Sequence, residues 1–368
     1  MSESSYSRAG VAGQSDALGS VTKHLSGTFL LPRSGDVISG FGDYASVIRL
    51  SDELAVAVTT DGVGSKTMIA SALDRYDTVG IDCVAMNVND LVCVGATPLA
   101  LVDYLGVNTL DPERVDGILE GLAACAATAG IAVPGGEIAQ LPEVIGSNGR
   151  GPGGDERAFD LVGACIGTLR PGALIRGQEV RPGDALIGLA SSGLHSNGYT
   201  LARRVLLKEA GLRLDEHITE LGRTLGDELL TPTRIYVDAA LALWKGGIET
   251  PGLVHVTGDG LANLCRLTAP AGYVIETMPP APPIFDLISA AGGIALPEMY
   301  RVFNMGIGLV VVVPAPQVDE ALAVLATVGY DALAIGSVSA EEGRVEIRPA
   351  DLVGGMRAGD AFFAAART

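Results

Sequence analysis

Positive charge is scarce in this 368-residue chain. Its 25 Lys and Arg stand against 43 Asp and Glu, a formal net charge of −18. A nucleic-acid binder carries a basic stripe, and none is visible, so no nucleic-acid partner is expected. An anionic substrate must then be held by a few placed cations, by backbone N–H groups or by a metal. Cysteine is also sparse. Cys83, Cys93, Cys125, Cys165 and Cys265 never stand two or three apart, which excludes a zinc pattern. Their odd number in a long chain argues against a disulfide scaffold. Long apolar runs are missing: Ile307–Val313 falls far short of the roughly 20 residues that span a bilayer. Met1–Ser20 is polar and shows no apolar leader. These absences predict a cytoplasmic protein with no membrane partner. Hydrophobic residues at 48% and charged residues at 18% exclude a disordered chain. The length exceeds what one core usually supports.

Strand and helix patterns alternate in two halves of similar size, which predicts an α+β chain built from two α/β-type halves. In the first half, Leu54–Thr60 reads as a strand ending at a glycine turn, and Thr78–Val94 as a buried helix with polar residues turned to a site. Leu99–Val107 reads as a strand, and a helix follows from Asp111-Pro112 to Gly130. Ile131–Pro134 and Leu161–Leu169 read as further strands. The segment 170–184, with two prolines and three glycines, is the natural boundary. In the second half, Ala185–Ala190, Gly306–Val313 and Ala334–Val338 read as strands. Helices are expected after Asn197, from Thr231-Pro232 and over Pro316–Val328. The expected division is 1–170, 171–350 and a tail, 351–368, read as a loosely docked helix.

Several short motifs carry possible chemistry. Asp61-Gly-Val-Gly-Ser-Lys66 offers backbone N–H groups at Gly62 and Gly64, a cation at Lys66 and a Mg²⁺-binding carboxylate at Asp61. It lacks Walker spacing, and an ordinary strand-to-helix turn is the alternative. Asp82, Asn89 and Asp90 lie in the apolar helix, with Asp82 and Asn89 two turns apart on one face. Unpaired carboxylates are expensive there, so they want a cation or serve as helix-end caps. Gly135-Gly136-Glu137 places a carboxylate just after a strand. Gly193-Leu194-His195-Ser196-Asn197-Gly198 joins a strand to a helix. His195 there suits general acid–base work, whereas Ser196 or Asn197 is equally an N-cap.

Taken in order, DGVGSK (61–66), GIDCVAMNVNDLVCVGATPL (80–99), GGE (135–137), GLHSNGY (193–199), LLTPTRIYV (229–237), TGDGL (257–261) and EMYRVFNMGIG (298–308) resemble the AIR synthase family, the phosphoribosylformylglycinamidine cyclo-ligases. The resemblance runs from about Tyr6 to Ile347. It implies ATP-dependent closure of the imidazole ring of formylglycinamidine ribonucleotide, with the formyl oxygen activated as a phosphate ester, in purine biosynthesis. It implies ATP and Mg²⁺, a small phosphorylated substrate, and a homodimer whose N-terminal sheets pair into a barrel beside a C-terminal α+β domain. On the resemblance, Asp61 and Asp90 bind the metal. Lys23, Asp61, Gly62, Gly64, Lys66, Asp82, Asn89 and Asp90 line the nucleotide, and His195, Asn197 and Glu137 stand at the reacting groups.

The chain departs from the family pattern at Asp43, Gln140 and Asp259. Asp43 and Asp259 place carboxylates in glycine turns, where they should repel an anionic substrate. A longer loop at 147–156 and the tail are further departures. Alternative readings are a paralogous ATP-dependent kinase or synthetase acting on another small molecule, and a catalytically weakened binding or regulatory protein.

Overall fold

The computed structural model describes residues 15–146, 155–357 and 360–366. Helix α1 (Ser15–Leu25) precedes β1 (Asp36–Ser39), β2 (Ser46–Arg49) and β3 (Ala55–Gly62). Then come α2 (Thr67–Leu73), α3 (Asp77–Cys93), β4 (Thr97–Val107), α4 (Pro112–Ala129), β5 (Ala132–Gln140) and β6 (Phe159–Leu169). The six strands form one sheet in the order β1-β2-β3-β6-β4-β5. Only β4 and β5 are parallel, and α4 supplies the crossover that such a pair requires.

Local chemistry explains α4. The Asp111 carboxylate accepts the N–H groups of Glu113 and Arg114, Pro112 occupies the first turn, and Gly130 closes the helix at φ 69°. Helices α3 and α4 cross through glycine. A Cβ on Gly121 would stand 1.7 Å from the Asp77 carbonyl oxygen, and one on Gly80 would stand 2.2 Å from that of Ile118.

The second half contains β7 (Ala185–Ala190), α5 (Tyr199–Arg203), β8 (His217–Ile218), β9 (Arg223–Thr224), α6 (Leu225–Leu229) and α7 (Val237–Lys245). It continues with β10 (Gly252–His255), β11 (Gly272–Ile275), α8 (Ile284–Gly292), α9 (Leu296–Val302), β12 (Ile307–Val313) and α10 (Val318–Thr327). Strands β13 (Ala332–Ser339), β14 (Arg344–Ile347), β15 (Leu352–Arg357) and β16 (Asp360–Ala365) complete it. Eight strands form a sheet in the order β10-β12-β7-β13-β11-β14-β15-β16. Strand β12 is buried at every residue, as its run of valines demands. Helix α3 lies at the seam, packed on β3 and β6 on one side and on β10 on the other.

Three expectations need correction. The tail is not a helix: β15 and β16 pair as a hairpin that extends the second sheet. Leu352, Ala361 and Phe363 are buried in it, and Gly354-Gly355 disfavours a helix. No helix begins at Thr231-Pro232. Residues 231–236 run without regular structure, because Lys66 ahead of α2 and Asp82 and Asn89 on α3 take their backbone groups. The strand at 131–134 is longer, so Glu137 stands inside β5 rather than after it. Of the glycine-rich segment 147–156, residues 147–154 lie outside the described residues.

Candidate active site

The seam is stitched by polar side chains of α3. Asp82 accepts both the backbone N–H and the hydroxyl of Thr233, each at 2.7 Å. Asn89 donates to the Arg234 carbonyl at 2.9 Å and accepts the Tyr236 N–H at 2.8 Å. Asn87 donates to the carbonyls of Asp61 and Cys83. Lys66 comes from the glycine turn to pair with Asp82 at 2.7 Å, with no exposure on either side chain. Its ammonium also donates to the carbonyls of Thr231 at 2.7 Å and His195 at 3.2 Å. An ammonium has three protons, and here three acceptors surround it. Burial pulls its pKa down and Asp82 pushes it back up. Lys66, Asp82 and Asn89, expected beside the nucleotide, are thus engaged with the protein itself.

At the other end of α3, Asp90 meets His255, whose Nδ1 lies 2.8 Å from the Asp90 carboxylate. His255 is fully buried, and its Nε2 has no partner among the described residues. Asp61, next to last in β3, accepts the N–H of Gly62 at 2.7 Å. Burial, and next the charge of Asp90, push the Asp61 carboxyl up to about 6. Gly62 and Gly64 follow it, Gly64 with φ 67° and exposed. A Cβ would strain that left-handed position.

His195 is the surprise of the turn after β7. Nothing in its neighbouring sequence signals burial, yet it is 1% exposed and its backbone is left-handed at φ 59°. Its Nε2 accepts the Ser192 N–H at 3.2 Å. Burial, reinforced by His255 and Lys66, holds its pKa well below the usual histidine value. The ring is therefore neutral, and the bond at Nε2 puts its proton on Nδ1. Among the described residues that Nδ1 has no partner, and neither does the buried Nδ2 of Asn197, two residues on, so two donors of one turn find no acceptor there.

Glu137 lies elsewhere. It is exposed on the edge strand β5 opposite Tyr104, and Tyr104 and Gly62 both pair with Val162 of β6. Three strand spacings therefore separate it from Gly62, roughly 14 Å. Lys23 is exposed on α1. His255 was missed by sequence reasoning. The only signal was its place just before the Thr257-Gly258-Asp259-Gly260 turn.

Residues 42–169 match the family described as AIR synthase related protein, N-terminal domain, and residues 181–348 match its C-terminal domain. The chain is 45% identical to the phosphoribosylformylglycinamidine cyclo-ligase of Methanothermobacter thermautotrophicus, over 93% of this chain and 96% of that protein. It is 46% identical to that of Thermococcus kodakarensis, over 93% and 97%. The chain belongs to the AIR synthase family. Among solved structures, thiamine-monophosphate kinase from Stenotrophomonas maltophilia K279a superposes with a TM-score of 0.58 at 20% identity, covering 90% of this chain and 94% of that one. That likeness concerns the fold alone.

Against the AIR synthase pattern, the two added carboxylates are not free charges. Asp43 pairs with Arg176 at 2.9 Å and accepts the Ser39 hydroxyl. Asp259 stands 3.7 Å from Arg266. Each is matched by an arginine, so the repulsion expected of an isolated carboxylate is offset. Gln140 ends β5 and is exposed. Among the described residues no three His, Cys, Asp or Glu side chains converge as a metal cage, and no helix is long and apolar enough to cross a membrane.

Proposed function

We propose that this chain is an ATP-dependent cyclo-ligase that closes the imidazole ring of formylglycinamidine ribonucleotide, giving aminoimidazole ribonucleotide, ADP and phosphate. The observation that carries the reading is 45% identity to a cyclo-ligase along 93% of the chain. In this reading the formyl oxygen takes the γ-phosphoryl group of ATP. The neighbouring amidine-side nitrogen then attacks the formyl carbon and loses its proton, and the carbon–oxygen bond breaks as phosphate leaves. Such chemistry asks the protein for positioning and charge stabilisation, not for a nucleophile.

Asp61 and Asp90 are the residues that would hold Mg²⁺, which supplies neutralisation of phosphate charge. They fit it by the chemistry of the donors: Asp61 on β3 and Asp90 on α3 are partly exposed carboxylates on two elements that pack together. A pair of carboxylates is also what Mg²⁺ normally takes from protein, with phosphate and water completing the shell. The Gly62 N–H goes to Asp61 and the Val63 N–H to the Leu161 carbonyl, so the donor that the turn offers to phosphate is the backbone N–H of Gly64. His195 and Asn197 act as neutral hydrogen-bond donors toward the reacting oxygen. Lys66 holds the turn that carries His195, Asp82 pairs with Lys66 and fixes Thr233, and Asn89 holds the irregular segment at Arg234 and Tyr236. Lys23 and Glu137 belong, in this reading, to parts of the site completed by a second copy.

The outward face of the first sheet supports a two-fold dimer. Val58, Ile166, Val102 and Tyr104 are exposed on neighbouring strands, and an apolar face of this kind calls for a cover. A second copy closing the sheet into a barrel would supply it. The reaction takes place in the cytoplasm, where ATP is at hand.

The decisive assay incubates the protein with ATP, Mg²⁺ and formylglycinamidine ribonucleotide. Aminoimidazole ribonucleotide formed one-for-one with ADP supports the reading. A phosphorylated product without ring closure would mark a kinase-type paralogue, and ATP left intact would mark a binding protein. Asp90→Asn should keep the fold and lose most of the turnover.

A further inference from the structure

Lys66 is enclosed at one end of α3, so the positive charge at the other end, beside Asp90, must come from elsewhere. It comes from Arg266, at the end of the turn Gly260–Arg266. The Arg266 guanidinium lies 5.0 Å from the centre of the Tyr44 ring. The Tyr44 hydroxyl donates to the His255 carbonyl at 2.9 Å, and the His255 ring bonds Asp90. Stacking therefore carries Arg266 to the Asp90 end of the seam. Asp259 stands 3.7 Å from the guanidinium, beyond hydrogen-bond distance. A guanidinium held face-on by an aromatic ring, and only loosely paired, keeps N–H donors at its edge for a planar or tetrahedral anion. The side chain retains 33% exposure, enough for a ligand to reach it. The turn is supported from behind. Strand β15 packs on it, and Phe363 of β16 meets the ring of Tyr300 on α9 edge-on at 6.4 Å.

We propose that Arg266 binds a phosphate group of the substrates, oriented by the Tyr44 ring and exchanging its loose pairing with Asp259 for the phosphate. This rests on the reading above that the substrates are phosphorylated. The phosphate belongs either to ATP or to the 5′ position of the ribonucleotide. In both cases the chemistry is a charge-assisted, two-pronged contact that a lysine cannot reproduce.

The test is calorimetric binding to the full chain. Arg266→Met and Tyr44→Leu are titrated separately with a non-hydrolysable ATP analogue plus Mg²⁺, and with formylglycinamidine ribonucleotide. Each titration is repeated with adenosine or with the dephosphorylated riboside. The expected result for Arg266→Met is a loss of about 10-fold or more for one of the two phosphorylated ligands, with no loss for its dephosphorylated form. Whichever ligand loses affinity identifies the source of the phosphate. Tyr44→Leu should show a smaller loss on the same ligand. Unchanged affinity for both ligands, or an equal loss with and without phosphate, overturns the proposal. Should Arg266→Met fail to fold by circular dichroism, Arg266→Gln is read by the same criteria. Wild-type protein that binds neither ligand overturns the functional reading itself. Normal wild-type binding with an unaffected variant overturns only the role of Arg266.

Discussion

The Lys66 ammonium lies 2.7 Å from the Asp82 carboxylate, and neither side chain retains any contact with solvent. One residue closes the glycine turn after β3 and the other lies on α3. Together they secure the carbonyls of Thr231 and His195 and the N–H of Thr233. A motif that reads as a phosphate loop thus contributes its lysine to the joint between the two halves.

Removing one partner of such a pair leaves a buried charge without compensation. Lys66→Met should therefore destabilise the fold by about 3–5 kcal/mol, and the double variant Lys66→Met/Asp82→Leu should recover part of that loss. Chemical denaturation of the single and double variants measures both. A Lys66→Met protein as stable as wild type would show that the pair is not a joint.

Asp61 predicts a pH dependence. Its folded pKa, about 6, lies above the ordinary value of 3.8. The metal-free folded protein therefore binds the proton more tightly than the unfolded chain. The associated stability is present below pH 4 and is lost as pH rises through 6, a change on the order of 3 kcal/mol. Asp61→Asn should remove that slope. Melting temperatures between pH 4 and 7, without divalent metal, check it: parallel curves for the two proteins would refute the assignment.

His195 should act through the proton on Nδ1. His195→Leu removes that donor and strains a left-handed backbone, so turnover should fall roughly 10²-fold or more and the melting temperature should fall with it. His195→Asn tolerates the backbone and can place an amide donor near the same point, so it should restore turnover in part. If Nε2 were a general base, His195→Asn would be as inactive as His195→Leu. Steady-state kinetics of the two variants decides.

The exposed face of the first sheet should be an interface between copies. Light scattering at micromolar concentration should report a dimer, and Val102→Asp should shift it to monomer with loss of turnover. A wild-type monomer with full activity would contradict the barrel arrangement.

Much of this protein was legible in one dimension, wherever the cause is local. Asp111-Pro112 and Gly130 bound α4 because a cap acts within a few residues. The valines of β12 declare a buried strand, and the ordered motifs declare the family. The roles within those motifs were another matter. Lys66 and Asp82 sit 16 positions apart and meet Thr231, Thr233 and His195 only after two sheets have docked on α3. Residues 231–236 look helical until Asp82 and Asn89 take their backbone groups. The tail becomes a hairpin because β14 offers an open edge to β15. His255 acquires meaning from Asp90, 165 residues away. Each of these outcomes depends on hydrogen bonds and ion pairs between distant segments, whose energies exist only once burial has removed the competing water.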